Sequence, residues 1–166
     1  MKLHGQRLLD RSGGNDSAAR KMMTGAAALI HAGGAGVFVD NSAGAHGGRD
    51  WLALAHPENR ETGPLRAFTS LVRGKDGVFS IGMHVLGYRD AVIPGTANDQ
   101  ADRDLMLRFL RYSIEQGKAL HDGFVFEDVN ASSFRLKHRQ SERFRPDHPM
   151  NNPFGQWQLV PLEATP

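Results

Sequence analysis

Apolar and polar positions alternate most sharply over residues 66–86. Phe68, Ser70 and Val72 alternate with Thr69, Leu71 and Arg73. After Gly74-Lys75-Asp76-Gly77, Phe79, Ile81, Met83 and Val85 share one face, and Ser80, Gly82 and His84 the other. Two period-two runs around an Asp-Gly turn predict a β-hairpin, because successive strand side chains point to opposite faces and Asp-Gly accepts the positive φ of a tight turn. At 99–116 the period lengthens to that of a helix. Leu105, Phe109 and Tyr112 form a stripe that Met106, Leu110 and Ile114 broaden. Thr96-x-x-Asp99 reads as a capping-box variant opening this helix, and Gly117 closes it. A second helix is predicted over Ala18 to Ala32. Asn15, Asp16 and Ser17 offer its N-cap, Met22, Ala26, Leu29 and Ile30 its stripe, and Gly33-Gly34 its stop.

The remaining segments are shorter. Gly36 to Asp40 reads as a strand, Asn41 to Gly48 as a flexible loop, and Arg49 to Ala55 as a short helix turning Trp51, Leu52 and Leu54 inward before His56-Pro57 ends it. Phe124-Val125-Phe126 follows the turn at Asp122-Gly123. Ser133 to His138 alternates, with Phe134 and Leu136 on one face and Arg135 and Lys137 on the other. Pro146 to Pro153 reads as a loop, and Trp157, Leu159 and Val160 as a final strand. Helices interspersed with runs of this kind predict an α+β fold, an antiparallel-rich sheet with two main helices packed on it. Residues 16–166 read as one domain behind a loosely ordered lead-in, 1–15, with no repeat and no linker.

Val78 to Pro94, VFSIGMHVLGYRDAVIP, resembles the centre of the bacterial domain-of-unknown-function family 4261. The residues carrying the resemblance are Gly82, Met83, His84, Leu86, Gly87 and Asp90. The helix 99–116, the His121-Asp122-Gly123 turn and the Arg135–His138 strand follow in similar order, and the resemblance extends over most of residues 24–160. It implies an α+β fold and a bacterial setting, and assigns no active-site residue. Small domains of this kind often sit beside toxin or secretion systems, so the resemblance also implies a possible immunity or accessory role by analogy.

Composition narrows the classes. At 166 residues, with 40% hydrophobic and 23% charged residues, the chain can bury a core. It has no Cys, which removes disulfides, thiolate metal sites and a cysteine nucleophile. The first residues lack the apolar run of a signal peptide, and the longest apolar stretch, around Ala26 to Ile30, is too short to span a bilayer. A cytoplasmic location without membrane association follows as the expectation. A net charge of +2 does not itself imply nucleic acid. One segment is locally basic, however: Arg135, Lys137, Arg139, Arg143 and Arg145, interleaved with Phe134 and Phe144.

The candidate chemistry is sparse. His56-Pro57-Glu58 has the spacing of two arms of a two-His-one-carboxylate metal site, with His84, His121 or His138 available as the third ligand. A helix-capping His before a Pro turn explains the same residues. Asp40, Ser42 and His46 hold the residue types of a hydrolase triad, but within one short loop and without a nucleophile elbow. The glycines at 33–36 close a helix rather than open one, the reverse of a phosphate-binding loop. His84 and Arg89 could line a site if the polar hairpin face is open; if it is covered, His84 is a hydrogen-bonded structural group. Arg135, Lys137, Arg139, Arg143, Phe144 and Arg145 could meet solvent, an acidic protein or nucleic acid. The expectation is therefore a protein-binding module without catalysis or cofactor. A His/Glu metal enzyme and a nucleic-acid binder are the alternatives. The sequence carries no signal for oligomeric state.

Overall fold

The structure, a computed structural model, describes residues 2–3, 14–75, 77–130 and 132–162. The elements in order are β1 (Lys2–Leu3), α1 (Gly14–His31), β2 (Gly36–Val39), β3 (Gly44–Gly47), α2 (Gly48–Ala55), α3 (Gly63–Phe68), β4 (Ser70–Gly74), β5 (Gly77–Ile81), β6 (Asp90–Ile93), α4 (Asp99–Gln116), β7 (Val125–Glu127), β8 (Ser133–Arg139) and β9 (Gln156–Pro161). The fold is α+β. A small sheet runs β1-β2-β3, and a six-stranded sheet runs β4-β5-β6-β9-β8-β7, antiparallel except where β6 meets β9.

One core joins both sheets and the helices. On the inward face of the large sheet, Val78, Ala91, Ile93, Trp157, Leu159, Leu136, Phe134 and Phe126 are buried, with Met106, Phe109 and Leu110 of α4 in the same cluster. Phe109 meets Phe126 edge-on at 5.2 Å, a geometry that sets the positive ring edge against the negative ring face. Around α1, Ala19, Met23 and Ala26 join Trp51 and Phe68. The Trp51 indole N–H donates to Met23 O at 3.1 Å, so its one polar atom is satisfied inside the core.

Several expectations change. Gly14 and Asn15 already belong to α1, and Lys2–Leu3 pair in parallel with Phe38 and Val39; residues 4–13 of the expected lead-in lie outside the described residues. The loop expected at 41–48 contains β3, which zips onto β2 through a turn with Ala43 at φ 53. The hairpin is centred on Gly74–Gly77 but is shorter than the alternation predicts. Phe68 ends helix α3, and Met83–Leu86 coil into a 3₁₀ turn. Gly82 makes the break, since its φ of +109 suits glycine and a Cβ there would lie 2.1 Å from Phe68 O. At α4 the capping residue is Asn98, whose side chain accepts from Ala101 N at 3.1 Å, while Thr96 turns its hydroxyl to Asp102. The glycines after α1 do close that helix: Gly33 has φ +106, and Gly34 N bonds Leu29 O at 3.0 Å.

Candidate functional site

The outward face of the six-stranded sheet carries a row of partners that crosses the strands. Val72 pairs with Phe79, Phe79 with Val92, Val92 with Gln158, and Gln158 with Lys137. Their neighbours in register on β9 and β8 are Gln156 and Arg139. Strand pairing thus lays an apolar half, over β4 to β6, beside a polar and cationic half over β9 and β8. The loop after β8 rises over this face. The Arg143 guanidinium lies 3.5 Å from the Phe79 ring centroid, which leaves Phe79 only 7% exposed. Between loop and sheet lies a trough of about 320 Å³, lined on one side by Gly74, Lys75 and Gly77 and on the other by Arg139, Gln140, Glu142 and Arg143, with Phe79, Val92, Gln156 and Gln158 beneath.

Among the described residues, the cations on this face have no acid bonded to them. Among the described residues, Lys75, Arg135, Lys137, Arg139 and Arg143 have no carboxylate at ion-pair distance, and Glu142 is the one acid in the lining. Arg139 Nε donates to Gln158 Oε1 at 3.1 Å, a neutral partner that holds the side chain across the trough. Arg145 reaches Asp147 at 3.8 Å on the exposed loop, and Phe144 stacks on His148 at 4.9 Å. Of the basic segment predicted from sequence, Arg139 and Arg143 line the trough. Arg135 and Lys137 extend its cationic flank, and Phe144 and Arg145 lie on the loop.

Asn152 fastens the far end of that loop. Its amide donates to Tyr88 O at 3.0 Å and to the buried Asp90 carboxylate at 2.9 Å; Ser80 Oγ and Met83 N also donate to Asp90, at 3.1 and 3.2 Å. No cation is among these partners. Burial therefore pushes the Asp90 carboxyl up to about 6, against the opposing effect of its three hydrogen bonds.

The other candidate residues lie apart from the trough. His84 Nε2 accepts from the Asn41 amide at 3.1 Å, and that amide also donates to Pro149 O, so His84 ties the β2–β3 turn to the 3₁₀ turn. Arg89 lies over Trp157, 4.8 Å from the ring centroid. His56 caps the turn at Pro57–Asn59 and is 3.6 Å from Glu58, whereas His121 bonds Asp122 O and packs edge-on to Phe124. No group of three His, Asp or Glu among the described residues could hold a metal ion, so the spacing at 56–58 does not assemble the alternative metal site. The Asp40, Ser42 and His46 set does not form a dyad either. Ser42 is 2% exposed with no hydrogen-bond partner for its Oγ, and His46 Nε2 is committed to Ala67 O at 3.0 Å.

A second cleft of about 290 Å³ lies beside α1, α3 and the end of α4, over Leu65, Leu86 and Ile114. On its rim Arg111 bonds Glu115, and Arg20 bonds Arg60 O. Among the described residues no helix is long and apolar enough to cross a membrane. No model of a known protein family matches the chain, and neither a curated protein nor a solved structure matches it.

Proposed function

We propose that this chain is a protein-binding module that takes an acidic segment of a partner protein on its basic sheet face, without a catalytic step. The observation that carries the reading is the set of unpaired cations, Lys75, Arg135, Lys137, Arg139 and Arg143, around a trough with an apolar floor. Cations left without acids steer and select an oppositely charged partner, and the apolar floor supplies area to desolvate. Nucleic acid fits less well. Single strands bind by stacking bases on open rings, and here Phe79 is covered by Arg143 while Phe144 is stacked on His148. The resemblance to domain-of-unknown-function family 4261 supports a bacterial setting and, by analogy, the role of an immunity or accessory protein of a toxin or secretion system, and the lack of Cys fits a cytoplasmic location.

The test is fluorescence anisotropy with labelled poly-L-glutamate and a labelled deoxythymidine oligomer, each titrated at low and moderate salt. The reading requires poly-L-glutamate to bind more tightly than the oligomer, with affinity falling as salt rises. Preference for the oligomer would transfer the face to nucleic acid, and binding of neither would end both readings.

A further inference from the structure

The row across the sheet is a ruler as well as a patch, and reading it as one rests on the protein-binding reading above. Its apolar end, Phe79 and Val92, lies on β5 and β6, and its cationic end, Lys137 and Arg139, lies on β8. Two inter-strand steps separate β6 from β8, a distance of about 10 Å. A polyproline II chain rises about 3.1 Å per residue with three residues per turn, so side chains three apart share one face about 9 Å from each other. A β-strand does not match, because its same-face residues recur about 6.6 and 13 Å apart.

The spacer also fits. A polyproline II backbone makes no hydrogen bonds of its own and leaves its carbonyls open. Gln156 and Gln158 lie between the two ends, and the Gln158 carbonyl is held by Arg139, which leaves its amide to donate. Gly74 places no Cβ beside the Phe79 ring, where one would sit 3.1 Å from the ring edge, so an incoming side chain over Val92 meets that edge while Arg143 covers the ring face.

We infer that the trough recognises a polyproline II segment of a partner protein in which an apolar side chain stands three residues from a carboxylate. The apolar side chain sits over Val92 beside Phe79, and the carboxylate meets Lys137 and Arg139.

The probe is a capped seven-residue peptide with central Leu, Asp at both ends and Pro at the four positions between, which reads the same in either chain direction. Three controls replace Leu by Ser, move each Asp one place inward, or replace Asp by Lys. Binding is measured by calorimetry to the wild-type chain and to the double variant Lys137→Glu/Arg139→Glu. Both substituted residues are exposed, and thermal unfolding checks that the variant folds. The expected result is that the parent peptide binds about tenfold or more tighter than every control, and that the double variant loses a similar factor. If the Ser or shifted peptides bind as well as the parent while poly-L-glutamate still binds, the ruler is wrong and the acidic-partner reading survives. If neither the peptide nor poly-L-glutamate binds, both fall.

Discussion

Arginines on the two sides of the large sheet are treated in opposite ways. On the α4 side, those of α4 and the β4 residue Arg73 are each matched. Arg73 bonds Asp99 and Asp102, Arg103 bonds Asp99 at 2.9 Å, Arg108 grips Asp128 at 2.6 and 3.0 Å, and Arg111 bonds Glu115 at 2.9 Å. On the outward face Arg135, Arg139 and Arg143 have no acid at ion-pair distance among the described residues. The helix side closes its electrostatics within the chain; the outward face leaves them to something else. Charges that only serve the fold are expected to resemble the first group, which is why the second marks the candidate site.

The carboxylates show the same division. Arg108 holds the Asp128 carboxyl below the usual carboxylate range. Burial alone would raise that of Asp102, but the Thr96 amide and hydroxyl and the Arg73 guanidinium together bring it lower. Asp90, buried without a cation, is moved the other way.

These contrasts can be broken in order of size. Asp102→Ala strips the acceptor from Arg73, Thr96 N and Thr96 Oγ1 and should cost about 3–4 kcal/mol in urea unfolding at neutral pH. Because the folded-state pKa of Asp102 lies below its unfolded value, the stability it contributes is present above about pH 4 and is lost as pH falls through the folded pKa. The gap between wild type and Asp102→Ala should therefore narrow in acid.

Asp90 should behave with the opposite sign. Its folded pKa of about 6 exceeds the unfolded 3.8, so the folded chain holds the proton more tightly. Its contribution is fully present below about pH 4 and is lost as pH rises through 6, by up to about 3 kcal/mol. Unfolding free energies from pH 4 to 7 should show this fall in wild type and lose it in Asp90→Asn. An unchanged slope in the variant would remove Asp90 as the cause.

Arg143→Ala should cost about 0.5–1 kcal/mol through the lost contact with Phe79, and should increase the exposure of that ring to a collisional fluorescence or NMR probe. Smallest of all, Lys137→Glu/Arg139→Glu should change stability by less than about 0.5 kcal/mol, since both residues are exposed and neither has an acid at ion-pair distance among the described residues. The same double change should abolish poly-L-glutamate binding. A large stability loss there would mean that the outward cations serve the fold after all, and the comparison would collapse.

Much of the architecture is legible from local pattern. The Gly74–Gly77 turn, α4, and the alternation that buries Phe134 and Leu136 while exposing Arg135 and Lys137 follow from periodicity alone. β3 escapes because Gly44-Ala45-His46-Gly47 has no strand propensity, and it forms only because β2 offers an edge. α3 escapes because tertiary burial of Pro64, Leu65, Ala67 and Phe68 overrides the alternating look of the run beginning at Phe68. Half of the trough can be found in the basic segment. Its floor cannot, because Phe79, Val92, Gln156 and Gln158 meet only through strand order, and the parallel pairing of β6 with β9 is not written in any local period.

That pairing has a consequence for how the chain is made. Among the described residues β9 alone joins β4-β5-β6 to β7-β8 within the sheet, yet it follows all of them in sequence. On a ribosome the two half-sheets emerge with β6 and β8 each presenting a bare edge, and neither can close until residues 156–161 have left the exit tunnel. Native pairing competes with edge-to-edge association throughout that interval. A synonymous slow codon just upstream of β9, which prolongs the time that β6 waits with its edge bare, should then lower the soluble yield without changing a single residue.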